Sequence, residues 1–302
     1  MKLAGLVSIL VVSISLAGGC GHGGTPIQGP ETAIAPGNAG ATERVSETIK
    51  IATFNVQNFG KTKVGKPEVM KVLAEIVRKY DVVAIQEVSD VTEKTALALL
   101  KTIEEQGGSY AFELSQRSGT TASSSSQEQY AYFFRTSTIA PDGEGSLYED
   151  PNDQFQREPF VARFKATHGS FTFVLMSIHT KPESTVAEID ALADVFTWAA
   201  SKYPKEDDFI ALGDFNAGCS YANPAKLDNT RLRQPGFTWV VPDDADTNLA
   251  SKDCAYDRIV FRDGTTADYS GSWGIDRAFD DPAVSDHWPV WAEFRVDRDQ
   301  GN

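Results

Sequence analysis

Hydrophobic residues in this chain recur with two periods. Short apolar, β-rich runs lie at 49–55, 82–87, 130–135, 160–164, 171–179, 209–213, 257–261 and 289–294, each with the length and composition of a strand. Val174-Leu175-Met176 and the run 209–212 are apolar on both faces, which predicts central strands covered by another layer. Between the runs the period lengthens to that of a helix. Pro67 suits a first helical position, and Val69, Val72, Leu73, Ile76, Val77 and Tyr80 make one stripe behind it. Thr185 and Glu188 have capping-box spacing, followed by Ile189, Leu192, Ala193 and Phe196 on one face. Helices mixed with strands buried on both sides predict a layered α/β sandwich, with ligand groups where strands end.

The N-terminus follows neither period. Met1-Lys2, an apolar run over 3–17 and then Gly18-Gly19-Cys20 have the form of a signal peptide with a lipobox-like end. Cys20 is the residue expected to carry lipid, on a protein exported and anchored to a bacterial membrane. From 21 to about 46 there is almost no large apolar residue, so 21–47 is read as a disordered tether. One globular domain over 48–297 and a short tail, 298–302, complete the chain, and 123–126 is a polar loop. No later stretch is long and apolar enough to span a bilayer. With Cys20 lipidated, Cys219 and Cys254 remain as an even pair, consistent with an oxidising compartment. A formal net charge of −14 over 302 residues argues against a basic nucleic-acid-binding face. Affinity for phosphate would have to come from a metal-loaded site or a local basic patch.

Polar residues end the apolar strands. Asn55 closes the first, Glu87 the second, and His179 the run from 171. Asp214 and Asn216 follow 209–213, Asp257 opens the strand after Cys254, and Asp286-His287 precedes the last. Two of only four histidines stand at strand ends beside three acidic strand ends. The set suits phosphodiester hydrolysis. Carboxylate and amide oxygens from Glu87, Asp214, Asn55 and Asn216 can hold magnesium, and histidines each fixed by a carboxylate can move protons.

These stretches resemble the endonuclease/exonuclease/phosphatase superfamily, and within it the deoxyribonuclease I branch. The likeness runs from 49 to 294. Gly213-Asp214-Phe215-Asn216 and Ser285-Asp286-His287 are shared across the superfamily. Ala217-Gly218-Cys219-Ser220-Tyr221, Arg231-Leu232-Arg233 and Cys254-Ala255-Tyr256-Asp257-Arg258-Ile259 are narrower. The resemblance implies a four-layer α-β-β-α sandwich with two mixed central sheets. It also implies a magnesium- or manganese-dependent nuclease that cuts DNA, expected to be double-stranded, to 5′-phosphate ends, acting as a monomer. Glu87, supported by Asn55, would hold the metal, with Asp214, Asn216 and Asp286 completing the cluster. Glu128 would orient His179, and Asp257 would orient His287. Arg157, Gln57 and Tyr221 would contact DNA phosphates, and Cys219–Cys254 would be a structural disulfide. Asp153, the Phe155 carbonyl and Glu158, with Asp150 as a fourth ligand, would form a structural calcium loop. A second calcium loop would start at Asp246, where Asn248, Ala250 and Lys252 replace threonines. Ser89 and Ser126 replace groove-contacting side chains, so weaker and less sequence-sensitive binding is expected. Lys61, Lys63 and Lys66 form a small basic cluster after the first strand. Two other readings remain: a phospholipid or inositol-phosphate phosphatase of the superfamily, and a non-catalytic DNA-binding lipoprotein.

Overall fold

The computed structural model describes residues 47–119 and 127–299. The readings that fall on Cys20, the signal peptide, most of the tether, Ser126 and the end of the tail lie outside the described residues.

Two parallel strand pairs, each joined by a helix, organise the domain. β1 (Thr48–Phe59) runs through a short helix, α1 (Lys61–Val64), and then α2 (Pro67–Val77) into β2 (Val82–Val88), which lies parallel to β1. After α3 (Lys94–Glu105) come β3 (Tyr110–Leu114), β4 (Gln129–Arg135), β5 (Ile139–Pro141), β6 (Ser146–Leu147) and β7 (Phe160–Ala166). β8 (Thr172–His179) passes through α4 (Thr185–Lys202) into β9 (Phe209–Asp214), again parallel. A short helix, α5 (Pro224–Leu227), precedes β10 (Phe237–Trp239), β11 (Asp257–Arg262), β12 (Tyr269–Ile275) and β13 (Val290–Arg295). Parallel neighbours need such a crossover because a tight turn cannot reverse the chain twice. The first sheet has the order β12-β13-β1-β2-β4-β3 and the second β10-β11-β9-β8-β7-β5, with β6 beside β7. All other pairings are antiparallel, so both sheets are mixed.

Three apolar layers hold four structural layers together. Ile49, Ile51, Val82, Phe164, Phe173, Leu175, Leu212 and Phe294 fill the space between the sheets. α2 and α3 cover the outer face of the first sheet through Leu73, Ile76, Leu99 and Ile103. α4 covers the second through Ile189, Leu192 and Phe196. The four-layer α-β-β-α sandwich is therefore the observed fold. A buried polar rung crosses the middle layer: Thr53 donates to Gln86, whose amide donates 3.0 Å to Ser177. Gly213 lets β9 lie tight against β8, since its φ is +150° and a Cβ there would sit 1.9 Å from the Ile178 carbonyl oxygen.

Local readings needed correction in two places. Pro67 does open α2, but the box at α4 is not formed as expected. The Thr185 hydroxyl donates back to the carbonyls of Lys181 and Pro182, while Glu188 accepts from the N–H groups of Lys181 and Gln156. Glu188 thus ties the helix to the loop at 156. Lys63 is not part of a surface cluster either; it is buried and donates to the carbonyls of Val56 and Val284.

Candidate active site

Strand alternation carries the inter-sheet layer from apolar to polar at one end. The inward residues of β1 are Ile49, Ile51, Thr53 and Asn55; those of β8 are Phe173, Leu175, Ser177 and His179; β9 offers Ile210, Leu212 and Asp214. Asn55, Glu87, His179 and Asp214 all lie at or near the carboxyl ends of the parallel strands, where ligand groups collect in open α/β sheets. Antiparallel β11, β4 and β13 enter from that same end, bringing Asp257 opposite Asp214, with Glu128 and His287 one to three residues ahead of their strands.

The result is a symmetric chain of acids and bases. Glu128 Oε2 lies 2.9 Å from His179 Nδ1, and Asp257 Oδ2 lies 2.8 Å from His287 Nδ1. The two Nε2 atoms turn toward a single oxygen, Asp214 Oδ2, at 3.6 and 3.7 Å. Asn55 donates its amide to both Asp214 (3.0 Å) and Glu87 (2.9 Å) while its Oδ1 accepts from Gln57 N. Asn55 thereby spaces two carboxylates. Glu87 adopts φ +62°, and its other oxygen accepts from Asn58 N at 2.7 Å. A non-glycine residue held there indicates a conformation imposed by its surroundings. Asp214, Asp257 and His287 form one of two three-residue sets among the described residues whose ligand atoms converge within 4.8 Å.

Burial opposes every charge here, and the partners decide the outcome. Burial alone would raise Asp214, but His287, His179 and the amides of Asn216 and Asn55 hold it below the usual carboxylate range. Glu128 is likewise lowered, because His179 and Arg157 outweigh burial. Asp257, fully buried, stays above the usual range because burial wins over His287. Burial would lower His287, yet Asp257 and Asp214 push it up to about 10. His179 is raised in the same way by Glu128, despite burial and Arg157.

Other expected residues fall nearby with different engagements. Gln57 donates 2.8 Å to Asp286 Oδ2, and Asp286 Oδ1 is buried with no hydrogen-bond partner. The Asn216 side-chain amide donates to the Thr180 carbonyl, and its backbone N–H donates 2.9 Å to Asp214 Oδ1. Arg157 lies behind the first dyad, its guanidinium donating to the carbonyls of His179 and Thr180 and lying 3.5 Å from Glu128. Tyr221 is 40% exposed and its ring stands 5.7 Å from Tyr256, which in turn stands 6.0 Å from His287. Tyr256 is a site-adjacent residue to which sequence reasoning gave no role. Tyr256 precedes Asp257 directly, which was the available signal. Cys219 and Cys254 form the expected disulfide, with Cα atoms 5.6 Å apart. Ser89 lines an open cleft with Asn58, Lys61, Thr62 and Val91.

The two loops that the resemblance marks for calcium differ. In the first, Asp150 and Asp153 take positive φ, Asp150 Oδ2 accepts from Phe155 N, and Asp150 Oδ1 is buried without a partner. Glu158 accepts 2.6 Å from the Ser118 hydroxyl. These are hard oxygens, but Asp150, Asp153 and Glu158 are not among the sets of described residues whose ligand atoms converge within 4.8 Å. In the second, the Asn248 amide donates to Asp246 Oδ1 and to the carbonyls of Lys252 and Cys254, and Arg277 lies 3.5 Å from Asp246 Oδ2. An amide nitrogen and a guanidinium already satisfy these oxygens, so the second set does not fit an ion.

Comparison with known proteins gives the family. The endonuclease/exonuclease/phosphatase family model matches residues 52–287. Deoxyribonuclease-1-like 2 of Homo sapiens is 34% identical over 284 residues, spanning 83% of this chain and 93% of that protein. Deoxyribonuclease-1 of Canis lupus familiaris is 34% identical over 264 residues, spanning 80% of this chain and 90% of that protein. Among solved structures, an endonuclease/exonuclease/phosphatase protein from Bacteroides vulgatus superposes with a TM-score of 0.60 at 15% identity, covering 83% of this chain and all of that one, which bears on the fold. The chain belongs to the endonuclease/exonuclease/phosphatase family. Within it, this is a deoxyribonuclease I-like member and a phosphodiesterase.

Proposed function

We propose that the protein is an exported, divalent-metal-dependent endonuclease that hydrolyses DNA phosphodiesters to 5′-phosphate ends. The observation that carries this reading is the pair of dyads, Glu128–His179 and Asp257–His287, with both Nε2 atoms aimed at Asp214. Each carboxylate holds its histidine through Nδ1 and leaves Nε2 for the substrate. One histidine takes a proton from water and the other donates one to the departing 3′ oxygen, so phosphate remains on the 5′ side. Glu87, Asp214 and Asp286 offer hard oxygens, and Asp286 Oδ1, which accepts no hydrogen bond and lies 3.9 Å from His287 Nε2, supports a role as ligand. A magnesium or manganese ion held there would neutralise charge on the phosphoryl oxygens. Arg157 braces the first dyad and, with Gln57 and Tyr221, is assigned to phosphate contact.

Asp150, Asp153, the Phe155 carbonyl and Glu158 are proposed to bind structural calcium. Export and a lipid on Cys20 fit the Cys219–Cys254 disulfide, which oxidising compartments favour.

Supercoiled plasmid should be nicked with magnesium, spared in chelator, and cut to ends that ligase accepts directly. Unchanged nicking in chelator, or 3′-phosphate ends, would defeat the reading. Calcium should raise the melting temperature by mass action, and Asp153→Ala with Glu158→Ala should reduce that rise; an undiminished rise removes this loop. Cys20→Ser should abolish incorporation of labelled fatty acid, and continued labelling would count against the anchor.

A further inference from the structure

The opposite end of the inter-sheet layer also becomes polar. Asp208 precedes β9 on the same inward face as Ile210, Leu212 and Asp214, six residues from the catalytic carboxylate, or about 20 Å along an extended chain. It is 1% exposed, and its Oδ1 has no hydrogen-bond partner. From the other sheet, Asp268 stands just before β12, 3% exposed, and its Oδ1 is likewise without a partner. The turn leading to Asp268 lies hard against the chain at 207; a Cβ on Gly264 would sit 2.4 Å from the Asp207 carbonyl oxygen. Glu206, Asp207 and Asp208 offer ligand oxygens within 4.8 Å of one another.

The neighbouring positive groups do not meet this demand. Arg163 is bound to Glu206 at 2.9 Å and to Asp142 at 2.7 Å, and Glu206 also accepts from Thr172 and from the N–H groups of Asp207 and Asp208. Arg298 offsets Asp268 less than the acids Asp299, Asp207 and Asp297 oppose it. Buried carboxylate oxygens ordinarily have a donor or a cation. Two orphaned oxygens, one from each sheet, stand in the field of the same acids: Asp268, Asp207 and Glu206 act on Asp208, and Asp207 acts on Asp268.

We propose that Asp207, Asp208 and Asp268, backed by Glu206, form a cation site that ties the two sheets together at the end opposite the active site. The ion is a hard divalent one of the calcium class, which takes several carboxylate oxygens and completes its shell with water. Burial and mutual repulsion push Asp208 up to about 9 and Asp268 up to about 6, and a bound dication reverses that repulsion.

The test compares wild type with Asp268→Asn, both in the Asp153→Ala/Glu158→Ala background that removes the calcium loop proposed above. Equilibrium dialysis with labelled calcium should show one ion fewer per chain in Asp268→Asn, with plasmid nicking unchanged. Melting curves should cross: the variant melts above wild type in chelator, where repulsion is relieved, and below it in millimolar calcium. Asp207→Asn, at an exposed position, gives the same readout without altering the core. If both variants bind as much calcium as wild type, or melt above it in both media, the cluster holds a proton rather than an ion and the proposal fails.

Discussion

The two ends of the inter-sheet layer are lined with the same kind of residue and differ in what answers it. At the catalytic end, buried acids stand beside cations of the protein's own. Glu128 has His179 and Arg157, Asp214 and Asp257 share His287, and Lys63 lies in the field of Glu87 and Asp286. At the far end Asp208 faces Asp268, Asp207, Glu206 and Asp299. The strands are common to both ends, so the contrast comes from side chains at strand termini and not from the fold. An acid answered by a base makes a pair through which a proton can move. An acid answered by acids makes a demand for something from solution.

Removing a base from the catalytic end should have the largest effect. His179→Ala and His287→Ala are each expected to lower plasmid nicking by about 10²–10⁴-fold, the usual range for a general acid or base. The comparison must be made at equal folded fraction, read by circular dichroism. Near-normal nicking in either variant would make that dyad a structural ion pair and erase the contrast.

Lys63→Met tests the buried cation. Its amine serves the carbonyls of Val56 and Val284, and leaving a buried acceptor unpaired costs roughly 1–3 kcal/mol each. A loss of about 2–6 kcal/mol is expected from the urea midpoint. Burial lowers the Lys63 amine to about 8 even with Glu87 and Asp286 nearby. An unchanged midpoint would mean that methionine satisfies the site as well and that the charge there is incidental.

At the far end the expected signal is a pH dependence in chelator. Asp208 is raised from an ordinary 3.8 to about 9 by burial and by its acidic neighbours, so the folded state holds the proton more tightly than the unfolded chain. Its contribution to stability is complete below about pH 3.8 and is lost as pH rises through about 9. Asp208→Asn should flatten that fall in denaturant midpoints. An equally steep fall in the variant would place the titration elsewhere.

The smallest effect concerns DNA grip. Ser89→Arg adds a charge in the cleft lined by Asn58 and Lys61, and each neutralised phosphate steepens the log–log salt dependence of binding by about 0.9. An unchanged slope on a defined duplex would separate that cleft from the catalytic surface.

Much of the catalytic end was legible because strand alternation is simple. Once 171–179 and 209–213 read as central strands, His179 and Asp214 had to stand at their ends. Other features were hidden by physics that sequence spacing does not carry. The stripe Ala96, Leu99 and Ile103 of α3 is helical, but its start lacks a conventional cap: Glu93 is left-handed and Asp90 accepts from Lys94 N instead. Edge strands such as β5, β6 and β10 have only two or three residues, too few for a period to show. Lys63 looked like its exposed neighbours because one of its two carbonyl partners, Val284, is distant in sequence. The far acidic end was invisible because Asp208 and Asp268 come from different sheets.

The Asn248 amide has a consequence for the environments in which catalysis can persist. The segment around it pairs with His287, its neighbour Thr247 donates to Asp257, and Leu249 N bonds the Asp286 carbonyl. Three groups of the catalytic end are therefore aligned by a loop whose central tie is covalently part of the chain. A tie of that kind is present at a fixed stoichiometry and cannot be diluted or chelated. The alignment of the second dyad therefore rests on groups of the chain itself.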